Sequence, residues 1–204
     1  IYRDKPKFVM GVTGTNGKTS IVNFSQQLIE QKNKSCVTIG TLGVEGVLNI
    51  RTENTTPDQT FIFRILQMAK SRGANYAFLE VSSHSIVQRR INGLVFEVFC
   101  FTNLSRDHLD YHKDMETYFQ SKLSILDVLS LNTKIIVNTD DKYGKLFFQR
   151  AKNLGFQIET IGFSEKANVK LRANQDTSDI QSVEINKDGL IHRFKTRLIG
   201  KFQA

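Results

Sequence analysis

The fold class of this chain is decided by one stretch near its start, Gly11-Val12-Thr13-Gly14-Thr15-Asn16-Gly17-Lys18-Thr19-Ser20. The apolar run Phe8-Val9-Met10-Gly11-Val12 predicts a strand before it, and a helical pattern begins at Thr19. This order of strand, glycine-rich loop and helix is the context that a P-loop requires. Glycines let backbone N–H groups turn toward phosphate oxygens, and the start of the helix adds a partial positive charge. The stretch therefore predicts a nucleotide-binding α/β domain.

ATP is the expected ligand of this loop, and Mg²⁺ is expected with it. Lys18 is predicted to reach the β- and γ-phosphates, and the Thr19 hydroxyl is predicted to ligate the metal. The standard motif has a glycine where this chain has Val12, and the glycines here are Gly11 and Gly14. The alternative is a glycine-rich turn that only joins a strand to a helix. The predicted cofactor-binding residues are Gly14, Thr15, Asn16, Gly17, Lys18, Thr19 and Ser20.

Strand-like runs alternate with helical patterns as far as about residue 155, and only strand-like runs follow. Alternation of this kind predicts a mostly parallel sheet with helices on both faces. Asn186-Lys187-Asp188-Gly189 predicts a hairpin between the last two strands. We expect one domain over residues 1–204, with a P-loop α/β part over about 1–155 and a small antiparallel β part over about 156–200. Helices are predicted over 19–32 with Ile21, Phe24 and Leu28 on the apolar side, from Pro57, over 115–129, and over 142–152 with Leu146, Phe147 and Ala151.

Composition limits the class of protein. The 204 residues are 40% hydrophobic and 24% charged, which is typical of a globular domain. The longest apolar runs have the length of a strand, far short of the ~20 residues of a membrane helix. Two cysteines, Cys36 and Cys100, lie among apolar neighbours and are expected to be buried thiols in a reducing cytosol. The chain begins with Ile1 and is expected to be an excised domain.

The net charge of +8 indicates an anionic ligand and leaves its kind open. A nucleic-acid-dependent P-loop ATPase is one candidate class. Such a protein needs exposed aromatic residues among its basic residues for base stacking. The aromatic residues here are expected in the apolar faces of strands and helices, which disfavours that class.

Three further side chains are candidates because of their positions. Glu80 ends a predicted apolar strand over 76–81, where a carboxylate is costly unless it meets a cation, and it is a candidate Mg²⁺ ligand opposite Thr19. The alternative is a carboxylate that caps the following turn. His108 follows the predicted strand over 95–101, and taken alone it is a solvated hydrogen-bonding group. Lys122 shares a helix face with the apolar residues at 118, 125 and 129, and its alternative is an ammonium that extends to water.

Four blocks of sequence resemble one known family. The first is Thr13-Gly14-Thr15-Asn16-Gly17-Lys18-Thr19, which is similar to the ATP loop of the Mur ligases, the ATP-dependent amide ligases of peptidoglycan precursor synthesis. The others narrow the resemblance to the MurE type, which adds the third residue to UDP-N-acetylmuramoyl-L-alanyl-D-glutamate. They are Asn54-Thr55-Thr56-Pro57-Asp58, then Leu79-Glu80-Val81-Ser82-Ser83-His84 with Gln88 and Arg90, then residues 102–112, Thr-Asn-Leu-Ser-Arg-Asp-His-Leu-Asp-Tyr-His.

The resemblance implies roles for individual residues. Lys18, Lys122 and His108 match catalytic positions, and His108 matches a ligand of a second Mg²⁺. The position of Lys122 is carbamylated by CO₂ in the family, which makes it an anionic metal ligand beside Thr19 and Glu80. The positions that hold the nucleotide-sugar dipeptide are matched by Asn54, Thr55, Thr56, Ser82, Gln88 and Arg90.

The resemblance also implies a reaction and its partners. The substrate carboxylate attacks ATP to give an acyl phosphate, and the amine of a diamino acid then displaces phosphate. Whether meso-diaminopimelate or L-lysine is added stays open, and a folylpolyglutamate or cyanophycin-type ligase is the alternative within the superfamily. We expect a cytoplasmic monomer that binds neither nucleic acid nor membrane. The family's amino- and carboxyl-terminal domains are expected to lie outside this chain, so the isolated chain is expected to have little or no ligase activity.

Overall fold

A computed structural model describes residues 4–107 and 109–198. The strands are β1 (Phe8–Thr13), β2 (Cys36–Gly40), β3 (Gly43–Gly46), β4 (Tyr76–Glu80), β5 (Val98–Phe101), β6 (Lys134–Asn138), β7 (Ile158–Gly162), β8 (Val169–Gln175), β9 (Gln181–Lys187) and β10 (Leu190–Thr196). The helices are α1 (Lys18–Glu30), α2 (Gln59–Ser71), α3 (Ser83–Val87), α4 (Leu109–His112), α5 (Met115–Leu123) and α6 (Lys142–Asn153), with a 3₁₀ turn at Ser124–Asp127.

All ten strands form one sheet in the order β10-β9-β8-β7-β6-β5-β1-β4-β2-β3. Pairing is parallel from β2 across β4, β1, β5, β6 and β7 to β8. The strands β8, β9 and β10 form an antiparallel extension, and β3 pairs antiparallel with β2 at the other edge. The mostly parallel sheet with a small antiparallel part is therefore confirmed.

Helices cover both faces of the sheet, as predicted. On one face, α2, α5 and α6 pack over the central strands in the larger apolar core. On the other face, α1 covers a smaller core with Val22 as its buried residue. Because β1, β4 and β5 lie at the centre, their carboxyl ends meet where α1 and α3 begin, which is where open α/β sheets bind ligands.

The antiparallel part begins later than expected. Strand β7 was expected in that part, and it pairs parallel with β6 from Ile135↔Ile158 to Asn138↔Ile161. The reason is that α6 crosses over between the two strands and returns the chain to the same direction. Antiparallel pairing starts only between β8 and β9.

Several helix predictions need correction. In α1, Phe24 is 41% exposed and Leu28 is 59% exposed, because the helix turns Val22 toward the sheet instead. In α6, Leu146 is exposed, while Phe147 and Ala151 are buried as expected. The first helical residue of α2 is Gln59, since Asp58 is its N-cap and accepts a hydrogen bond from Phe61 N–H at 3.0 Å. The helix expected over 115–129 ends at Leu123 and continues only as the 3₁₀ turn.

The structure bears on the expectations about the cysteines and about membrane-spanning helices. Cys36 and Cys100 are buried free thiols, as predicted, and burial raises the pKa of Cys100 to about 12. Over the described residues, none of the helices has the length and apolar character needed to span a membrane.

Contrary to expectation, the aromatic residues Phe24, Tyr111 and Phe194 are exposed. The basic neighbours of Phe194 are paired, Arg193 with Glu184 and Lys195 with Asp176, so they form no open basic track.

Candidate functional site

The glycine-rich loop joins the carboxyl end of β1 to the start of α1. Gly17 is the N-cap of α1 with φ 87°, and no side chain caps this helix end. Gly14 has φ 149°, and a Cβ there would lie 1.8 Å from Thr102 Oγ1. Both glycines are therefore needed for the loop's path, and the first N–H groups of α1 remain available to an anion.

The segment after β5 holds this loop in place. Thr15 N–H donates to Asn103 O at 2.9 Å, and Asn16 N–H donates to Asn103 Oδ1 at 3.0 Å. The Thr102 hydroxyl donates to Asn16 O at 2.7 Å, and Ser105 N–H donates to Thr15 Oγ1 at 3.0 Å. The carboxyl ends of β1 and β5 thus form one rigid support for the loop.

The departure from the standard motif has a physical reason. Val12 lies inside β1, where it is buried and its carbonyl accepts from Val81 N–H at 2.8 Å. Gly11 also lies within β1, and a Cβ there would come 2.7 Å from the Phe99 ring. Position 12 is a strand position and Gly11 is required for packing, so the loop proper begins at Gly14.

Lys18 folds over the loop in this structure. Its ammonium donates to Gly14 O at 3.0 Å and to Thr15 O at 2.9 Å. Burial lowers the pKa of Lys18, while the charges of Glu80 and Asp107 act in the opposite direction. The cation therefore lies directly over the loop that is expected to receive phosphates. Ser20 is exposed in the first turn of α1.

Glu80 is buried at the carboxyl end of β4, with 1% of its surface exposed. Thr19 Oγ1 donates to its Oε2 at 2.9 Å, and Thr41 N–H donates to its Oε1 at 2.8 Å. The alternative that Glu80 caps the turn after β4 is wrong, because that turn leads into α3, whose N-cap is Ser82, and the donors to the Glu80 carboxylate are Thr19 and Thr41. The carboxylate instead faces the phosphate loop.

The oxygens of Thr19 and Glu80 fit a Mg²⁺ ion. Carboxylate and hydroxyl oxygens are the donors this hard cation prefers. Adjacent ligands of an octahedral site with metal–oxygen distances of about 2.0–2.1 Å lie about 2.9 Å apart. Thr19 Oγ1 and Glu80 Oε2 are 2.9 Å apart, so both can bind one ion with little movement. Among the described residues there is no cluster of three or more His, Cys, Asp or Glu that could hold a metal ion.

Lys122 is buried, with 1% of its surface exposed, so the alternative of an ammonium extending to water is wrong. Its ammonium donates to Gly14 O at 3.0 Å and lies 4.8 Å from the centre of the Tyr118 ring. Burial, and then the charge of Lys18, lower its pKa to about 7. A large fraction of this side chain is therefore a neutral amine at neutral pH.

The Tyr118 ring beside Lys122 is itself packed against a buried histidine. His112 is buried, stacks on Tyr118 with centroids 4.8 Å apart, and has its Nε2 2.8 Å from Ser83 Oγ. The Tyr118 hydroxyl is 3.3 Å from Thr15 Oγ1, which links α5 to the phosphate loop. His108, the predicted second metal ligand, lies outside the described residues.

Four of the predicted substrate residues form one hydrogen-bond network at the carboxyl end of β4. They are Thr56, Ser82, Gln88 and Arg90. Thr56 Oγ1 donates to the backbone oxygen of Glu80 at 2.9 Å and accepts from Ser82 N–H at 3.1 Å. Arg90 donates to Thr56 O at 2.7 Å and, through Nε, to Gln88 Oε1 at 2.9 Å. The loop before α2 and the end of α3 are thereby joined. Asn54 is exposed on the same loop, and its carbonyl accepts from the Thr52 hydroxyl.

One cavity of about 110 Å³ brings the predicted groups together. Its lining combines the phosphate-binding candidate Lys18, the metal candidates Thr19 and Glu80, the substrate candidates Thr55 and Ser82, and Lys122. The predicted substrate residues Asn54, Thr56, Gln88 and Arg90 do not line it. Arg90 is connected to the lining residue Ser82 through Thr56, which accepts from Arg90 at its backbone oxygen and from Ser82 N–H at its hydroxyl. The lining residues are Lys18, Thr19, Thr41, Thr55, Glu80, Ser82, Ser83, Tyr118 and Lys122.

Several residues of this site were not predicted from the sequence, among them Thr41, Tyr118 and Asn103. Thr41 follows β2 directly, and the position after a parallel strand is the signal that identified Glu80. Tyr118 was taken only as part of an apolar helix face. Asn103 belongs to a quoted block, but its support of the phosphate loop depends on contacts across the sheet that no spacing predicts.

The fold and this loop define a P-loop α/β domain. A family model described as the Mur ligase middle domain matches residues 12–204. The chain belongs to this family.

Individual relatives agree with this assignment. The UDP-N-acetylmuramoyl-L-alanyl-D-glutamate–2,6-diaminopimelate ligase of Parabacteroides distasonis is 40% identical over 166 residues, which cover 78% of this chain and 34% of that protein. A solved structure of a ligase with the same name has a TM-score of 0.85 at 29% identity, covering 98% of this chain and 41% of that one. MurF ligase from Thermotoga maritima in complex with ADP has a TM-score of 0.71 at 16% identity, covering 98% of this chain and 43% of that one, and shares the fold. The chain thus spans less than half the length of these proteins.

Proposed function

We propose that the full-length protein containing this chain is an ATP-dependent amide ligase of peptidoglycan precursor synthesis. It adds a diamino acid to UDP-N-acetylmuramoyl-L-alanyl-D-glutamate through an acyl phosphate. The observation that carries the proposal is the cavity in which Lys18, Thr19 and Glu80 meet Thr55, Ser82 and Lys122. A phosphate loop, a metal site and a polar substrate wall in one cleft are what transfer of a phosphoryl group to a substrate carboxylate requires.

ATP is proposed to bind with its phosphates on residues 14–20. The N–H groups at the start of α1 and the ammonium of Lys18 supply positive charge, since Lys18 is held 2.9–3.0 Å from the loop carbonyls Gly14 O and Thr15 O. Thr19 and Glu80 are proposed to hold Mg²⁺, which would neutralise charge on the phosphates when bound. The ADP complex of the fold relative from T. maritima supports nucleotide binding in this fold.

In the proposed reaction a carboxylate oxygen of the D-glutamyl residue attacks the γ-phosphorus, and the bond from that phosphorus to ADP breaks. The amine of the diamino acid then attacks the acyl carbon and loses a proton, and inorganic phosphate leaves with the carboxylate oxygen. Two anions meet in the first step, so Lys18 and the helix start serve by offsetting charge. Thr55, Thr56 and Ser82 are proposed to bind the peptide part of the substrate, with Asn54 at the rim. Arg90, oriented by Gln88, is proposed to hold a carboxylate or phosphate.

Lys122 is proposed to carry a carbamate in the active protein. A neutral amine attacks CO₂ and releases one proton, and the lowered pKa of about 7 favours the neutral form. The resulting anion would lie near Gly14 O and would offer oxygen atoms to a metal ion. His108 is proposed as a ligand of a second Mg²⁺, in keeping with the family pattern.

The diamino acid is proposed to be 2,6-diaminopimelate, which is the substrate in the name of the P. distasonis relative. Its selection is assigned to a domain outside this chain, and so is much of the binding of the uridine nucleotide. We accordingly keep the expectation that the isolated chain has little or no ligase activity. A cytoplasmic location is proposed because ATP and the nucleotide-sugar are found there.

The test is an ADP-release assay on the full-length protein. We expect ADP to form only when ATP, the nucleotide-sugar dipeptide and 2,6-diaminopimelate are all present. A requirement for L-lysine in place of 2,6-diaminopimelate would correct only the choice of amino acid. ADP release that is indifferent to the dipeptide, or that an oligonucleotide stimulates, would instead support the nucleic-acid-dependent class. A folylpolyglutamate-type ligase would require a folate in place of the dipeptide.

A further inference from the structure

Thr41 lies at the mouth of the cavity and contacts two parts of it at once. Its N–H donates to Glu80 Oε1 at 2.8 Å, and its hydroxyl donates to Glu80 Oε2 at 3.3 Å. The same hydroxyl oxygen is 3.1 Å from Thr55 Oγ1. Thr41 therefore connects the metal candidate Glu80 to the loop proposed to bind the substrate.

The turn that carries Thr41 is shaped for this contact. Gly40 precedes it, and a Cβ at Gly40 would lie 2.3 Å from Glu80 Oε1. Gly43 follows with φ 99°, and a Cβ there would lie 2.6 Å from Ile50 O. Side chains at either position would push the turn away from the carboxylate, so the two glycines let Thr41 approach Glu80.

Hydrogen-bond chemistry gives this chain of hydroxyls a direction. A carboxylate only accepts, and a threonine hydroxyl has one hydrogen to donate. Since Thr41 gives its hydrogen to Glu80, its oxygen must accept from Thr55. The hydrogen of Thr55 is then committed to Thr41, and the two lone pairs of the Thr55 hydroxyl, which lines the cavity, are left as acceptors. Thr55 is thereby prepared to accept from an N–H or O–H group of a ligand and not to donate to a carboxylate.

We propose that Thr41 is a positioning residue that holds Glu80 in its metal-binding orientation and fixes Thr55 as an acceptor for a peptide N–H of the substrate. This inference rests on the proposed function for the identity of the substrate. It links the metal site and the substrate site through one exposed side chain that sequence patterns did not single out. Loss of the hydroxyl should therefore affect the use of Mg²⁺ and of the dipeptide together.

The test compares Thr41→Val with Thr41→Ser in the full-length protein. Valine keeps the shape and the N–H bond to Glu80 but removes the hydroxyl, while serine keeps the hydroxyl. We expect Thr41→Val to raise the Mg²⁺ concentration for half-maximal ADP release about tenfold, as for loss of a hydrogen bond to a charged group. It should also raise KM for the nucleotide-sugar dipeptide several-fold, with kcat near the wild-type value at saturation. Thr41→Ser should behave like wild type, and so should the control Thr177→Val, at an exposed threonine between β8 and β9.

A double-mutant cycle with Thr55→Val tests the link itself. If Thr41 orients Thr55, the two effects on KM for the dipeptide should be non-additive, because each variant breaks the same contact. The proposal is overturned if Thr41→Val changes neither constant, if serine and valine behave alike, or if the effects on KM add. Thr41→Ala serves as the second variant if the valine protein does not fold.

A separate readout keeps this proposal distinct from the proposed function. If wild-type protein releases no ADP with the dipeptide and diamino acid, the function fails. Mg²⁺-dependent binding of a fluorescent ATP analogue to the same variants still tests whether Thr41 holds Glu80. If Thr41→Val needs a tenfold higher Mg²⁺ concentration for half-maximal binding of the analogue, the proposal that Thr41 holds Glu80 is supported. An unchanged Mg²⁺ concentration contradicts it.

Discussion

Replacing Lys18 with methionine is expected to reduce ADP release by the full-length protein at least about a thousandfold, a loss typical of charge-stabilising groups at phosphoryl transfer. The ammonium lies 2.9–3.0 Å from the carbonyls of Gly14 and Thr15, at the point where phosphates are proposed to bind. Methionine has a similar length and no charge. The substitution therefore removes the stabilisation of charge and leaves the shape of the loop.

The fold should tolerate this change. The carbonyl of Gly14 also accepts from Lys122 at 3.0 Å, and we expect this hydrogen bond to remain when Lys18 is replaced. Lys32→Met, at an exposed lysine just after α1, is the matched control and should retain full activity. A Lys18→Met protein that is folded and keeps more than about a tenth of wild-type ADP release would contradict the role given to Lys18.

Replacing Lys122 with methionine is expected to have two opposite effects. ADP release should fall at least about a hundredfold, because the anionic ligand proposed at this position is lost. The folded domain should become more stable at pH 6.5 in buffer depleted of CO₂, because a buried ammonium is replaced by an apolar side chain. If Lys122 were needed only for the fold, its replacement would lower the stability of the domain. Lower ADP release together with higher stability therefore indicates a functional role.

The sign of the pH dependence follows from the lowered pKa of Lys122. Its ordinary value of 10.5 falls to about 7 in the folded protein, and the difference corresponds to about 5 kcal/mol. Below about pH 7 the lysine is protonated in both states, and the folded protein carries the full cost of burying the charge. Between about pH 7 and 10.5 the unfolded chain binds a proton that the folded chain does not, so the wild type gains stability as pH rises.

Denaturant midpoints at pH 6.5 and pH 9 measure this effect in the full-length protein. Lys122→Met should be more stable than wild type by about 2–4 kcal/mol at pH 6.5, since it also loses the bond to Gly14 O, and the difference should shrink at pH 9. Lys145→Met, at an exposed lysine of α6, is the control and should change neither midpoint. A Lys122→Met protein less stable than wild type at pH 6.5 would contradict the account of a strained buried cation.

The parts of the site that sequence predicts are those set by position along a strand. The phosphate loop follows β1, Glu80 ends β4, and parallel strands bring both to one edge. Lys122 was found because a charged residue breaks an apolar helix face. Thr41 could not be predicted in this way because its partner Glu80 is 39 residues away in the sequence. Its proposed role also depends on hydrogen-bond geometry, which the sequence does not show.

The fold errors have a similar origin. Phe24 and Leu28 share helical spacing with Ile21, but spacing alone does not say which of two apolar sides of α1 faces the sheet. The sequence of β7 has the same strand-like pattern as the antiparallel strands that follow it. Its pairing with β6 is parallel because the chain crosses over through α6 between the two strands.

The excess of positive charge is only partly explained by the site. Lys18, Lys122 and Arg90 lie in or beside the cavity, and the first two bond the same carbonyl. Elsewhere, Lys134 and Lys187 both pair with Glu159 across β6, β7 and β9. Because such pairs stabilise the sheet locally, the net charge of +8 is a weak guide to the ligand, and the phosphate loop is the stronger one.

The proposed reaction phosphorylates a substrate carboxylate and then joins it to an amine. It is tested most directly by labelling the D-glutamyl carboxylate of UDP-N-acetylmuramoyl-L-alanyl-D-glutamate with ¹⁸O and following the label by mass spectrometry in one turnover series. We expect one ¹⁸O atom in each inorganic phosphate released and one ¹⁸O retained in the new amide. Phosphate that carries no ¹⁸O, with ADP still formed, would contradict it, because the γ-phosphoryl group would then have gone to water.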